Sequence, residues 1–195
     1  GFSNLSLCLL EKNILSQEGR YYYFTHDLYE ELAIFMHIDH EWTTKGSPNV
    51  MEIVSNLETS ALAMRALRKW LTWKIESDSS IYLSIARAVI SNEIENSSKQ
   101  TLLTSIIQSS RFEEFLREYS EILWSGNHEK IHAIIHLIRL YSKKVNTPCD
   151  TQQNGELKSS IMPYGNEWVT ILNAILSFKG TFIRNDFDII SNLLF

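Results

Sequence analysis

Residues 14–28 have the sequence ILSQEGRYYYFTHDL. A short apolar run, Ile14-Leu15-Ser16, leads into polar residues with Gly19, and an aromatic run follows at Tyr21–Phe24. Aromatic residues favour strands, and a polar turn with glycine joins neighbouring strands, so the pattern predicts a small β-hairpin. Because side chains alternate along a strand, we expect two of the four aromatic residues to face inward and two to face outward.

Helical patterns flank the predicted hairpin on both sides. Ser3 can cap a helix from Asn4 to Lys12, and Thr25 can cap a second helix whose first turn carries the acidic residues Asp27 and Glu30. A helix, a hairpin and a helix in this order correspond to the later half of a winged-helix unit. Residues 1–44 are therefore predicted to be the C-terminal part of a winged-helix domain.

The remainder, residues 45–195, is predicted to be an α-helical repeat-like arm. Ser47-Pro48 opens the first helix, and later polar clusters separate helices of about 12–18 residues. Residues 145–160 are expected to form one long loop, followed by helices over 166–178 and 186–194. The predicted fold class is mainly α: a partial winged helix with a small β-hairpin, followed by an antiparallel, α-solenoid-like helical array.

The composition excludes several classes of protein. The chain has 195 residues, 44% of them hydrophobic, and a net charge of −5, which is typical of a globular protein and makes nucleic acid an unlikely partner. Its two cysteines, Cys8 and Cys149, are too few for a disulfide scaffold, so we expect a reducing, cytoplasmic setting. The apolar runs are shorter than the roughly 18 residues of a membrane span, so no membrane partner is expected.

A short motif carries a family resemblance. Tyr23-Phe24-Thr25-His26-Asp27-Leu28 resembles the His-Asp motif that closes the winged-helix domain of STAND signalling NTPases, the class of NACHT and NB-ARC proteins. The preceding residues 2–15 resemble the helix before the wing. That class includes plant disease-resistance proteins, metazoan apoptosome and inflammasome proteins, and bacterial antiviral ATPases.

The resemblance implies a role for two residues. In the family the motif's histidine reaches the β-phosphate of bound ADP and holds the closed state, so His26 is implied to be a nucleotide sensor and Asp27 its structural companion. Physical chemistry allows this role, since a helix N-terminus favours anions and an imidazole can donate to a phosphate oxygen. On the residues alone, the alternative is that both simply cap the helix.

The resemblance also implies cofactors and partners. ATP or ADP would be bound mainly by the protein's own NTPase domain, because this chain contains no Gly-x-x-x-x-Gly-Lys-Ser/Thr loop and no catalytic residues of that kind. We expect that domain to precede Gly1. A protein ligand, such as a pathogen or phage protein, would bind the helical arm, and activation would produce a homo-oligomer that serves antiviral or immune defence.

A second motif suggests zinc chemistry. His128-Glu129-Lys130-Ile131-His132 matches the His-Glu-x-x-His pattern, and Glu167 could be a distant third ligand. Lys130 places a charge at a position of the motif that is usually uncharged and buried in zinc proteases. The motif also stands at the start of a helix instead of within one. We therefore favour a half-exposed helix face with histidines beside the isoleucines, and we expect no metal in this segment.

Two further hypotheses come from other classes. One is a transcription regulator that uses the winged helix on DNA, and the other is a helical-repeat scaffold that binds proteins without nucleotide. The basic and aromatic residues of one predicted helix could contact nucleic acid, but we expect its tryptophans to fill a groove between helices. These residues are Arg65, Arg68, Lys69, Trp70, Trp73 and Lys74.

Overall fold

The computed structural model describes residues 2–46, 49–57, 60–91, 96–146, 160–163 and 165–194. The fold is mainly helical, with a small antiparallel hairpin followed by a helical array, as the sequence predicts. The chain divides into two compact units, Gly1–Trp73 and Lys74–Phe195. This division falls within one helix. The predicted boundary at residues 44 and 45 separates the winged-helix part from the helical arm, and it stays a prediction. Among the described helices, none combines the length and apolar character that crossing a bilayer requires.

The first unit begins with the predicted order of helix, hairpin and helix. Its elements are α1 (Phe2–Glu11), β1 (Leu15–Glu18), β2 (Tyr21–Phe24), α2 (Asp27–Thr44), α3 (Val50–Asn56) and the first part of α4 (Ala61–Ser77). The predicted start of α3 at Ser47-Pro48 lies outside the described residues. Within them, Asn49 is the N-cap of α3, and its side chain accepts a hydrogen bond from the Met51 N–H at 3.0 Å.

Asn13 ends α1 and turns the chain toward the hairpin. Its φ of 55° is left-handed, a conformation that asparagine tolerates better than most residues. The Asn13 N–H donates to the Leu10 carbonyl and the Ile14 N–H donates to the Leu9 carbonyl. This pair of bonds is the Schellman arrangement, which satisfies carbonyls that the helix end leaves open.

The hairpin pairs β1 with β2 through a two-residue turn. Glu18 lies opposite Tyr21, and Gly19 has a φ of 62° at the first turn residue, where a type II′ turn requires glycine. The expectation that two of the four aromatic residues face inward is wrong. The three tyrosines of β2 are all exposed and only Phe24 is half-buried, because this two-stranded sheet has no apolar layer over either face of β2 among the described residues.

The core of the first unit lies where α2, α3 and α4 pack together. Trp70 is completely buried, its ring meets Trp42 edge to face at 5.4 Å, and its Nε1–H donates to Asp39 Oδ1 at 3.1 Å. The prediction that tryptophan fills the groove is therefore confirmed for Trp70. Trp73 differs, since 45% of it is exposed while its ring lies 5.9 Å from that of Phe35.

Glu31 is a buried carboxylate on α2, and α4 supplies its counter-charges. Arg65 Nε lies 3.1 Å from Glu31 Oε2, and Lys69 Nζ lies 2.5 Å from Oε1. The close ammonium of Lys69 is the largest cause that lowers the pKa of Glu31, and the Arg65 charge adds to it, while burial acts in the opposite direction. Both cations keep about half of their side chains in water, so the ion pairs close over one edge of the core.

The second unit contains the rest of α4 and the remaining elements. They are α5 (Ser79–Ile90), α6 (Asn96–Ile107), α7 (Phe112–Glu118), α8 (Ser120–Leu123), α9 (Glu129–Tyr141), β3 (Lys143–Asn146), β4 (Ser160–Pro163), α10 (Asn166–Ser177) and α11 (Arg184–Leu194). Helix α6 contacts α5 and α9, while α10 contacts α7 and α9. Asp78 caps α5 by accepting from the Ser80 N–H at 2.8 Å.

The expected long loop at 145–160 needs correction at both ends. Strands β3 and β4 pair antiparallel there, with Val145 opposite Ile161 and Asn146 opposite Ser160. Val145 and Ile161 are β-branched, which favours a strand over a loop at these two positions. Residues 147–159, between the strands, lie outside the described part of the chain. The helices predicted after the loop are confirmed as α10 and α11.

The core of the second unit centres on α9. Its apolar residues Ile131, Ile134, Ile135 and Ile138 are buried, which confirms the predicted apolar face. A polar link joins α5 to α7 at another edge, where the Tyr82 hydroxyl donates to Glu118 Oε2 at 3.0 Å. Burial, followed by the Glu118 carboxylate, raises the pKa of Tyr82 well above its usual range, so this hydroxyl keeps its proton.

We expect Glu31→Gln to lower the free energy of unfolding of the first unit by about 1–2 kcal/mol at pH 7, because it removes the charge that both cations contact. Since the pKa of Glu31 is lowered on folding, its contribution is complete above the usual glutamate range and disappears as the pH falls through the folded value. Urea unfolding at pH 7 and at about pH 3 measures this difference.

The neighbouring variant Glu30→Gln provides the control, since Glu30 is exposed on the same helix. It should change stability by less than about 0.5 kcal/mol. Equal effects of the two substitutions would contradict a specific role for the Glu31 ion pairs.

Candidate functional site

The motif residues His26 and Asp27 lie side by side where α2 begins. His26 is the N-cap residue, with an extended backbone at φ −145° and ψ 135°. Its Nδ1 accepts a hydrogen bond from the Leu28 N–H at 3.1 Å, and its carbonyl accepts from the Tyr29 N–H at 2.9 Å. The histidine therefore satisfies N–H groups that an uncapped helix would leave open.

Thr25 has a different task from the predicted one. It does not cap α2. Its hydroxyl donates to the Asn13 carbonyl at 2.5 Å, and its N–H donates to the Ile14 carbonyl at 3.1 Å. Thr25 thus holds the end of the hairpin against the turn after α1. The next residue, His26, is therefore the cap of α2.

The cap determines which nitrogen of His26 faces outward as a donor. Because Nδ1 accepts from a backbone N–H, the neutral imidazole must carry its proton on Nε2. The side chain is exposed, with its ring 6.2 Å from that of Tyr29. The arrangement therefore presents an N–H donor beside the positive end of an 18-residue helix.

Asp27 is the first residue of α2 and is mostly exposed. Arg65 Nη2 lies 3.9 Å from Asp27 Oδ2, and the same guanidinium contacts Glu31 through Nε. The Asp27 carboxylate makes no hydrogen bond to His26 among the described contacts. Its position suits the helix dipole and links the N-terminus of α2 to α4.

The second motif forms a buried cluster that we call the histidine–aspartate cluster: His128, His132 and Asp186. His128 Nδ1 lies 2.9 Å from Asp186 Oδ2, and His132 Nε2 lies 2.6 Å from Asp186 Oδ1. The exposed fractions of the three side chains are 7%, 12% and 1%. The expected half-exposed helix face is therefore wrong for these two histidines, whereas His136, one turn further along α9, is exposed.

The geometry of the cluster is that of hydrogen bonds. Two donor atoms on one tetrahedral zinc ion lie about 3.3 Å apart, given zinc–ligand distances near 2.0–2.1 Å. The 2.6 Å separation between His132 Nε2 and Asp186 Oδ1 is shorter than that, and it matches a charge-assisted hydrogen bond. Within the described part of the chain, no group of three or more His, Cys, Asp or Glu residues is arranged to hold a metal ion.

Asp186 also caps its own helix. It lies in the first turn of α11, and its Oδ2 accepts from the Ile183 N–H at 2.7 Å. Burial alone would raise the pKa of Asp186, but the hydrogen bonds from His132, the Ile183 backbone and His128 together lower it. The carboxylate is thus held ionised by three donors, two of which come from α9.

Aromatic rings enclose the His128 side of the cluster. The Trp124 and Phe178 rings stack at 4.0 Å, and each meets the His128 imidazole edge to face. Phe182 packs against both rings. His128 has a left-handed φ of 59°, which is a strained conformation for a residue other than glycine. With this conformation in the turn before α9, the imidazole points inward.

Glu167 does not join the histidines. It lies in the first turn of α10, and a methyl group added at Gly165 would overlap its carboxylate. Its Oε2 is buried and has no hydrogen-bond partner among the described residues. The third residue of the cluster is Asp186, which sequence reasoning missed because it lies 54 positions from His132. The one local signal for Asp186 was its position three residues after Ile183, because this spacing matches half of a capping box.

Comparisons with known proteins add no family assignment. No family model matches the chain, and no curated protein matches it.

We expect Asp186→Ala to lower the free energy of unfolding of the second unit by about 2–4 kcal/mol at pH 7.5. It leaves the inward N–H groups of two buried imidazoles and the Ile183 N–H without an acceptor. Chemical denaturation followed by circular dichroism measures the loss.

Asp188→Ala is the matched control, because Asp188 lies on the same helix with its side chain exposed. Its expected effect is below about 0.5 kcal/mol. If both alanine variants unfold at the same denaturant concentration as the wild type, the cluster does not stabilise the unit.

Proposed function

We propose that this chain is a segment of a STAND-type signalling NTPase and that His26 senses the bound nucleotide. One observation carries the proposal. The cap of α2 uses Nδ1 of His26 and leaves Nε2 as an exposed hydrogen-bond donor. A phosphate oxygen that is held by a separate NTPase domain could accept from this nitrogen.

The charges around His26 also support a phosphate partner. Backbone N–H groups and the dipole at the start of α2 favour an anion. Asp27 alone would oppose one, but the Arg65 guanidinium lies 3.9 Å from its carboxylate and offsets part of that charge. Asp27 then serves as the structural companion that ties the sensor to α4.

The coupling would work through two states. With ADP bound, the His26 contact favours a closed, resting protein, and a protein ligand on the helical arm favours the open one. The ligand shifts this equilibrium only by the difference in its affinity for the two states. Opening would permit homo-oligomerisation, and defence against phage or another pathogen in the cytoplasm is the use that the family resemblance suggests.

Charge favours this function over DNA binding. The helix before the hairpin, α1, contains no lysine or arginine. Helix α2 likewise contains neither, while it carries Asp27, Glu30, Glu31, Asp39 and Glu41. Sequence-independent affinity for DNA comes from cations on phosphates, so neither helix suits a groove.

In the complete protein, we expect His26→Asn to raise the resting output without ligand and to reduce the ADP that stays bound through purification by at least tenfold. Asparagine caps a helix well, so α2 should remain stable, but its shorter side chain cannot place a donor where Nε2 lies. The measurements are the effector output and the nucleotide content.

Two comparisons separate sensing from capping. His40→Ala removes an exposed histidine from the same helix and should leave resting output and ADP content unchanged. If His26→Asn also behaves as the wild type while His26→Ala loses stability, then His26 is only a helix cap and the proposed sensor role fails.

A further inference from the structure

Over the part of α11 whose side chains are described, a single buried side chain attaches the helix. Among residues 184–191, whose side chains the structure describes, Asp186 alone is buried. Phe187 is 62% exposed, and Ile189 and Ile190 are only half-buried. Over residues 184–191, the helix is therefore held against α9 by hydrogen bonds to a carboxylate more than by an apolar face.

The cluster has a limited capacity for protons. When both imidazoles are neutral, each has one N–H, and both can point at Asp186: the one on Nδ1 of His128 and the one on Nε2 of His132. One added proton produces an imidazolium beside a carboxylate, which is a neutral pair. A second proton leaves one positive charge without a partner, at a site almost closed to water.

Among the described residues, the surroundings offer no second counter-charge to the cluster. The other groups in contact with the cluster are uncharged: the Trp124 and Phe178 rings, the Ile183 N–H, and the Asn185 amide at 3.4 Å from His132 Nδ1. None of the charged residues on the adjoining elements makes a described hydrogen bond or ion pair to the cluster. These residues include Lys99 on α6, Glu113, Glu114, Arg117 and Glu118 on α7, Glu121 on α8, Glu129, Lys130, His136 and Arg139 on α9, Glu167 on α10, Lys179 after it, and Arg184 and Asp188 on α11.

We propose that the histidine–aspartate cluster is an acid-sensitive latch, which holds α11 on α9 until both of its imidazoles are protonated. Histidine is the side chain that changes charge between pH 5 and 8. With both imidazoles neutral, two N–H donors close the latch, and after one added proton an imidazolium beside the carboxylate still closes it. A second proton can be accepted only if Asp186 and the start of α11 move out to water.

Hydrogen exchange on the intact chain tests the latch. After correction for intrinsic exchange rates, the protection factors of the α11 amides should fall at least tenfold between pH 7.5 and pH 5.0. Those of α5, which makes no described hydrogen bond or ring contact to the cluster, should change less than threefold. Unchanged protection of α11 over this range would overturn the proposal.

Histidine variants test whether the cluster causes the release. His132→Gln keeps an N–H donor without a titratable ring, and His128→Asn does so in a residue that tolerates the left-handed φ at this position. Each leaves one imidazole for one carboxylate, so α11 should stay protected at pH 5.0 in both variants. His136→Gln is the control, since His136 is exposed on the same helix, and it should release α11 as the wild type does. Release at pH 5.0 in both cluster variants, or loss of α11 protection in both already at pH 7.5, would contradict the latch.

Discussion

A carboxylate that is removed from water is costly unless it meets donors or cations, and each compact unit contains a buried carboxylate that meets them across two elements. In the first unit Glu31 on α2 meets Arg65 and Lys69 of α4. In the second, Asp186 on α11 meets two imidazoles of α9. An apolar contact tolerates sliding, whereas a buried charge is satisfied in one register only. Each of these two groups therefore favours one register between the helices that it joins.

The two carboxylates are satisfied by different chemistry, and this has physical consequences. The partners of Glu31 are a guanidinium and an ammonium that remain about half in water, so in acid that link weakens only when the Glu31 carboxylate itself is protonated. The partners of Asp186 are histidines that are themselves almost closed to water. In the first unit the donors of the buried carboxylate are cations, whereas in the second unit they are imidazoles, which can be neutral or charged.

Local patterns predicted the elements well, and distant partners poorly. The hairpin, the apolar face of α9 and the last two helices follow from spacing and turn residues that act within a few positions. The capping residue was displaced from Thr25 to His26 because Thr25 bonds to Asn13, twelve positions earlier. Asp186 could not be paired with the His-Glu-x-x-His motif, because only the folded chain brings them together. The prediction that two β2 side chains face inward was wrong, because the alternation of side chains along a strand does not show whether an apolar layer covers the sheet.

The use of His26 as a helix cap constrains how this position can change during evolution. Folding alone would accept asparagine, aspartate, serine or threonine there, since each caps a helix. A phosphate contact would accept only a side chain that both caps and reaches outward with a donor. Drift among the small polar residues in related chains would thus identify a position kept for folding, whereas retention of histidine would identify one kept for a ligand.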